Sequence, residues 1–234
     1  MSTAPNVGTV CIQSKTFPRQ PGSFGALPPL DGPVVIVDVT SGQKETNANR
    51  RAFSPMHMEA NVFYNAPDGH NYGCFEHYWQ SLKHFPDRPH AVDKTWWRNQ
   101  TRPRRRLPGV APGSCTHAAD ESRFPGQTFD YVASRKRFYL KDYRNLIRTT
   151  QRARLRMQQI RTLYQNGGNI VVRDYDGPRT ADGATAASEV TVELLREKLH
   201  DTTHPFGHGY IVAAEILGIE DAAFETPTPP PPAA

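Results

Sequence analysis

No stretch of the 234 residues approaches the ~20 consecutive apolar positions that a bilayer crossing requires, which argues against a membrane-spanning helix. Met1 to Thr16 lacks the basic-then-apolar pattern of a secretory leader, so an intracellular, cytoplasmic protein with no membrane partner is expected. Cysteine is scarce. Cys11, Cys74 and Cys115 lie far apart with no CxxC or HxxxH companion, which argues against a structural zinc and against a disulfide framework. Three free thiols are expected, with no metal and no other cofactor. Apolar residues make up only 37%, alongside 21 Pro and 17 Gly, which is enough for one domain of ordinary size with extended ends. No internal repeat is visible. Lys and Arg number 28 against 23 Asp and Glu, an excess of 28 − 23 = 5 whose uneven distribution matters more than its size.

Residues 1–32 are rich in Pro, Gly, Ser and Thr and read as an extended arm without a core of its own. Residues 33–222 hold the fold. Pro33-Val-Val-Ile-Val-Asp-Val39, followed by Thr40-Ser41-Gly42, reads as a buried strand running into a turn. Phe53-Ser54-Pro55 and Asn65-Ala-Pro-Asp-Gly69 punctuate a polar stretch of short strands and turns. Phe75 to Phe85 is the clearest helix: Phe75, Tyr78, Trp79, Leu82 and Phe85 share one arc, and Glu76, Gln80 and Lys83 another. Pro86 and Pro89 stop it. Residues 98–127 give no periodicity and read as a long basic loop. Two helices are expected over 131–148 and 150–165, then a strand over 169–174 after the Asn166-Gly167-Gly168 stop. Amphipathic helices follow at 189–199 and 210–217, and residues 223–234 form a Pro-rich tail. The expected class is α+β, a mainly helical single domain around a small mixed sheet.

A carboxylate, an amide and an amine on one helical face, backed by aromatics, can floor a polar pocket in which the acid and the amine tune each other. Glu76 could orient or deprotonate a water, or stabilise a developing cation. Lys83 could hold a phosphate, or act as a nucleophile if burial lowers its pKa. For an isolated pattern of this kind, a solvated helix face is the commoner explanation. Trp79 and Tyr72 could stack on a base, although large aromatics at helical spacing more often belong to a core. Asp174 and Asp176 end a strand, where either a functional carboxylate or a turn residue fits. The amides around His204, Gly207 and Gly209, just before a helix, could receive a phosphate. His204 and His208 make an unconvincing metal pair, because Pro205 and Gly207 interrupt any helix between them.

Phe75-Glu-His-Tyr-Trp-Gln-Ser-Leu-Lys83 resembles the signature helix of the NADAR family, the YbiA-like N-glycosidases. Phe53-Ser54-Pro55 and the stretch from Phe63 to Tyr72 stand where that family has its Ser- and Phe-containing lead-in. Gly167 to Asp174 is similar to its late strand. Phe206-Gly207-His208-Gly209 is similar to its Trp-Gly-x-Gly turn, with Phe in place of Trp. The resemblance implies a YbiA-like α+β fold. It also implies hydrolysis of the bond between a phosphorylated or ADP-ribosylated ribose and a base or amine. Glu76 and Lys83 would then be catalytic, with Tyr72, Trp79, Gln80, Asp174, His204, Gly207 and Gly209 binding substrate.

A second function class comes from Arg102, Arg104, Arg105 and Arg106, together with ten basic residues against one acid over 131–164. These would suit phosphate contacts in a nucleic-acid-binding or assembly protein that has no catalysis but keeps a nucleotide or ADP-ribose pocket.

Overall fold

The structure, a computed structural model, describes residues 7–16, 23–44, 46–111 and 113–225. The tail from residue 226 and parts of the expected arm, 1–6 and 17–22, lie outside the described residues. In chain order the elements begin with β1 (Val10–Ser14), β2 (Val34–Asp38), α1 (Ala48–Phe53), β3 (Tyr64–Asn65), β4 (Asn71–Tyr72), α2 (Phe75–Ser81), β5 (Lys83–His84), α3 (His90–Arg98) and β6 (His117–Ala118). They continue with α4 (Tyr131–Ser134), a π-helical turn (Arg135–Leu140), α5 (Lys141–Thr149), α6 (Gln151–Gln165), β7 (Asn169–Asp174), β8 (Ala187–Glu189), α7 (Val192–His200), α8 (His208–Leu217) and α9 (Glu220–Phe224). Helices beside a small mixed sheet make this an α+β protein, as the sequence led us to expect. The chain divides into two compact units: a terminal unit of residues up to 37 with those from 158 onward, and a middle unit of residues 38–157. Among the described residues, no helix is long and apolar enough to cross a membrane.

The terminal unit is organised by a four-stranded sheet in the order β2-β7-β1-β8. β1 runs parallel to β7, pairing Val10 with Ile170 and Ser14 with Asp174, and antiparallel to β8. This corrects the reading of residues 1–32 as an arm without core. All five residues of β1 are buried, between two strands and under α8. Composition hid the strand because two of its five positions are polar. Those two are satisfied internally: Gln13 donates to the Gly25 carbonyl and accepts from Arg173 at 2.6 Å, and Ser14 bonds Ala186. α8 is apolar on every side and buried from His208 to Ile216, as befits a helix packed into a core. Its one acid, Glu215, is 2% exposed, and Arg161 of α6 reaches both its carbonyl and its carboxylate.

The middle unit has an aromatic interior. Phe75 meets Tyr139 and Tyr143 at centroid distances of 5.5 and 5.4 Å, and Trp79 meets Tyr139 at 5.1 Å. The expected helix over 131–148 is present as α4, the π-turn and α5 in succession, with Asp130 capping the Ala133 amide. Asp142, the only acid of that basic stretch, is buried against Arg123, which also binds Asp120 and the Tyr78 hydroxyl. α2, however, ends at Ser81 rather than Phe85. Lys83 and His84 leave the helix because they pair with Ala118 and His117, and Ala119 donates to the Leu82 carbonyl. Cross-strand pairing thus stops the helix before Pro86 would.

Candidate functional site

Cys74 starts α2 in extended conformation, and the Glu76 amide donates to the Pro55 carbonyl at 2.9 Å. Tyr143 fixes the preceding residue pair by donating to the Phe53 carbonyl. The Phe53-Ser54-Pro55 segment is therefore seated against the start of α2. One turn in, Glu76 accepts from the Gln80 amide at 2.7 Å, so the i, i+4 pair expected from sequence is formed. Lys83 does not extend that row on the helix, since it lies on β5. It still comes close to Glu76, and its ammonium stands 5.1 Å from the centroid of the Trp79 ring.

Lys83 is one of the groups of the unit whose charge burial disfavours. Lys83 is half-buried, and its pKa lies below the ordinary lysine value, first because burial removes part of the ammonium's water. Glu76 and Cys115 favour the charged form, whereas Arg106 and Arg135 oppose it. Among the described residues Lys83 makes no ion pair, so no carboxylate in contact offsets its desolvation. One carboxylate and two arginines thus act on the charge of Lys83, whose ammonium stands over the Trp79 ring. Such a site can neutralise a phosphate, and it holds an amine that deprotonates more readily than a surface lysine. Sequence periodicity found Glu76, Gln80 and Lys83. It missed Arg135 and Cys115, which lie 52 and 32 positions from Lys83 and carry no motif of their own.

The expected aromatic contacts have other duties. Tyr72 is fully buried, its hydroxyl donating to Asp68 at 2.8 Å and accepting from Ser81 at 3.0 Å. It supports the back of α2 and offers no free face. Trp79 is 7% exposed, its ring engaged by Tyr139 and Lys83. Of the arginines, Arg102, Arg104 and Arg106 are exposed, and Arg105 is held by Ser41 at 2.8 Å and by the Met56 sulfur. The expected loop over 98–127 is mostly irregular, though α3 reaches Arg98 and β6 falls inside it.

The remaining candidates belong to the terminal unit. Asp174, at the end of β7, is 1% exposed and accepts from the Gly209 amide at 2.7 Å, with His208 Nδ1 at 3.3 Å from the same oxygen. A carboxylate thus already fills the start of α8. This redirects the expectation of a phosphate seat there, because a second anion would meet Asp174. The two glycines are explained by the same carboxylate. A Cβ on Gly207 would lie 2.5 Å from Asp174 Oδ2, and one on Gly209 would lie 2.9 Å from it. His204 is half exposed and bonds Asp201 at 2.9 Å. His208, not His204, is the histidine brought to Asp174. Among the described residues, no group of three or more His, Cys, Asp or Glu is arranged to hold a metal ion.

A protein family described as a family of unknown function, DUF6939, matches residues 29–190, more than two thirds of the chain. The chain belongs to the DUF6939 family. No curated protein and no solved structure matches it. The DUF6939 match spans β2 to β8 and includes Glu76, Lys83 and Asp174, but stops before Gly207 and His208. Its description carries no activity.

Proposed function

We propose that the middle unit carries an N-glycosidase site. It would hydrolyse the bond between a phosphorylated or ADP-ribosylated ribose and a base or amine, with Glu76 and Lys83 as the catalytic residues. The observation that carries this reading is Lys83, a half-buried amine of lowered pKa without an ion-pair partner among the described residues, under the influence of Glu76, Arg106 and Arg135. The resemblance of Phe75 to Lys83 to the NADAR helix supports it further.

The chemistry asks for these groups. When the base departs with the electron pair of the C1′–N bond, positive charge builds on the sugar, and a carboxylate nearby stabilises it. Glu76 can also take a proton from the water whose oxygen forms the new C1′–O bond, while the departing base is protonated in turn. Lys83 and Arg106 offset the charge of the ribose phosphate. A neutral Lys83 has a second capability: its lone pair can add to the aldehyde of a ring-opened sugar and expel water as an imine. Glu76→Gln should abolish release of free base while the far-ultraviolet circular dichroism stays unchanged. Full turnover by that variant would discard the assignment. Borohydride trapping of a sugar adduct on Lys83 would assign the amine as nucleophile, and its absence during turnover would leave it as the electrostatic partner.

Binding of nucleic acid without catalysis is the alternative, and the exposed Arg102, Arg104 and Arg106 favour it. Much of the basic stretch is otherwise engaged: Arg152 bonds Glu59 at 2.7 Å, Arg156 bonds Asn49 at 2.8 Å and Arg161 bonds Glu215. Salt-dependent DNA or RNA binding by the Glu76→Gln protein, with no base released by the wild type, would decide for it.

A further inference from the structure

His77 follows Glu76 on α2, yet the requirement for a histidine there is not explained by the chemistry above. Its side chain is completely buried and tilts against Trp97 of α3 at a centroid distance of 5.6 Å. Its Nε2 accepts the backbone N–H of Arg104 at 3.2 Å, which requires the ring proton to sit on Nδ1. The ring is held neutral. Burial pulls its pKa down to about 4, the Arg102 backbone carbonyl opposes this, and the charge of Arg104 adds to it.

The loop that meets this ring is irregular and anchored at separate points. Between α3, which ends at Arg98, and β6, which starts at His117, no described residue is helical or in a strand. Gln100 reaches back to Trp96, Arg105 lies on Ser41 and Met56, and Leu107 is buried. The backbone of the arginine run itself is tied to the interior through His77. Arg106 is two residues beyond Arg104, at most ~7 Å further along the chain. Its charge acts on Lys83, which lies on the strand that follows α2. Glu76 and His77 therefore do different things from neighbouring positions of one helical turn. One presents a carboxylate beside Lys83, and the other holds the backbone that brings an arginine there.

We infer that His77 is a positioning residue: by accepting the Arg104 amide it fixes the arginine loop on α2 and sets the affinity of the Lys83 site for a phosphate-bearing ligand without touching that ligand. The inference rests on the proposed reading of the Lys83 site and deepens it. An imidazole offers a neutral buried acceptor and a flat face for Trp97, while its Nδ1 is left without a hydrogen-bond partner among the described residues.

The test uses the full chain and two readouts. Calorimetry with inorganic phosphate and with ADP-ribose measures affinity, and hydrogen exchange measures protection of the Arg104 amide. His77→Phe keeps a ring against Trp97 and removes the acceptor, whereas His77→Gln places an oxygen near the former Nε2. The expected result for His77→Phe is a faster-exchanging Arg104 amide and affinity weakened roughly tenfold, the order of a lost charge-assisted contact. Arg106→Ala should lose the same factor, the double variant no more than either, and His77→Gln should recover most of it. Wild-type affinity in His77→Phe, losses that multiply in the double variant, or failure of His77→Gln to restore protection would overturn the inference. If wild-type protein bound neither probe, the glycosidase reading would fail by that observation. The exchange data would still decide whether His77 orders the loop.

Discussion

Two corners of this protein each place an acid and a basic group beside a helix, and they treat the charge in opposite ways. At the β7–α8 corner of the terminal unit, Asp174 accepts from Gly209 and lies beside His208, and two glycines leave room for it. At the α2–β5 corner of the middle unit, Lys83 is half-buried and gives up part of its water without an ion pair among the described residues to replace it. A buried charge whose partners are all present stabilises a fold, whereas one left short of partners costs stability and is retained where chemistry needs it. The contrast sets a fully partnered acid at the first corner against an amine short of partners at the second, where the proposed chemistry would lie.

The largest expected effect tests the first half of that contrast. Asp174→Ala should lower the unfolding free energy by about 3 kcal/mol, because the Gly209 amide and His208 lose a buried acceptor. A urea-midpoint shift within error of zero would break the comparison. Gly207→Ala should lose about 2 kcal/mol through overlap with the same carboxylate, read in the same titration. Lys83→Met should move the other way, gaining about 1 kcal/mol while base release is lost. That gain has a sign in pH. Lys83 holds its proton less tightly folded than unfolded, so its destabilisation is present at neutral pH and fades as pH rises toward the unfolded lysine value. Destabilisation by Lys83→Met at pH 7 would return Lys83 to the ordinary core.

A subtler test concerns the stack that backs β5. His84 lies between His90 and His117 at centroid distances of 3.6 and 4.3 Å, and burial followed by these two neighbours pulls its pKa down to about 4. Because the folded value lies below the unfolded one, stability should be intact above pH 6.5 and fall as pH drops toward 4. His84→Phe should flatten that fall, measured as the difference in urea midpoint between pH 7 and pH 4.5. The smallest effect is expected at Arg152, whose bond to Glu59 is partly exposed. Arg152→Ala should change stability by less than ~1 kcal/mol.

Much of the architecture was legible along the chain. The β-branched runs at 34–39 and 169–174 became β2 and β7, and the helical periods at 131–148 and 150–165 became α4 to α6. β1 was not legible, since a five-residue strand with two polar positions is recognised only by the strands that flank it. The site was half legible. Glu76 and Gln80 meet because helical spacing alone makes them meet. The end of α2 at Ser81 depended on β6, some 35 residues later, and the duties of Tyr72 and Asp174 depended on partners that no local window contains.

By itself the sequence determined the α+β class, the major helices and the pairing of acid with amide on α2, because propensity and period act over a few neighbouring residues. Tertiary structure alone decided that the FGHG turn closes on a carboxylate, that Lys83 sits on a strand instead of a helix, and that His77 holds the arginine loop. Each of those outcomes depends on desolvation or hydrogen bonding between groups distant in the chain, and such energies exist only once the chain has folded.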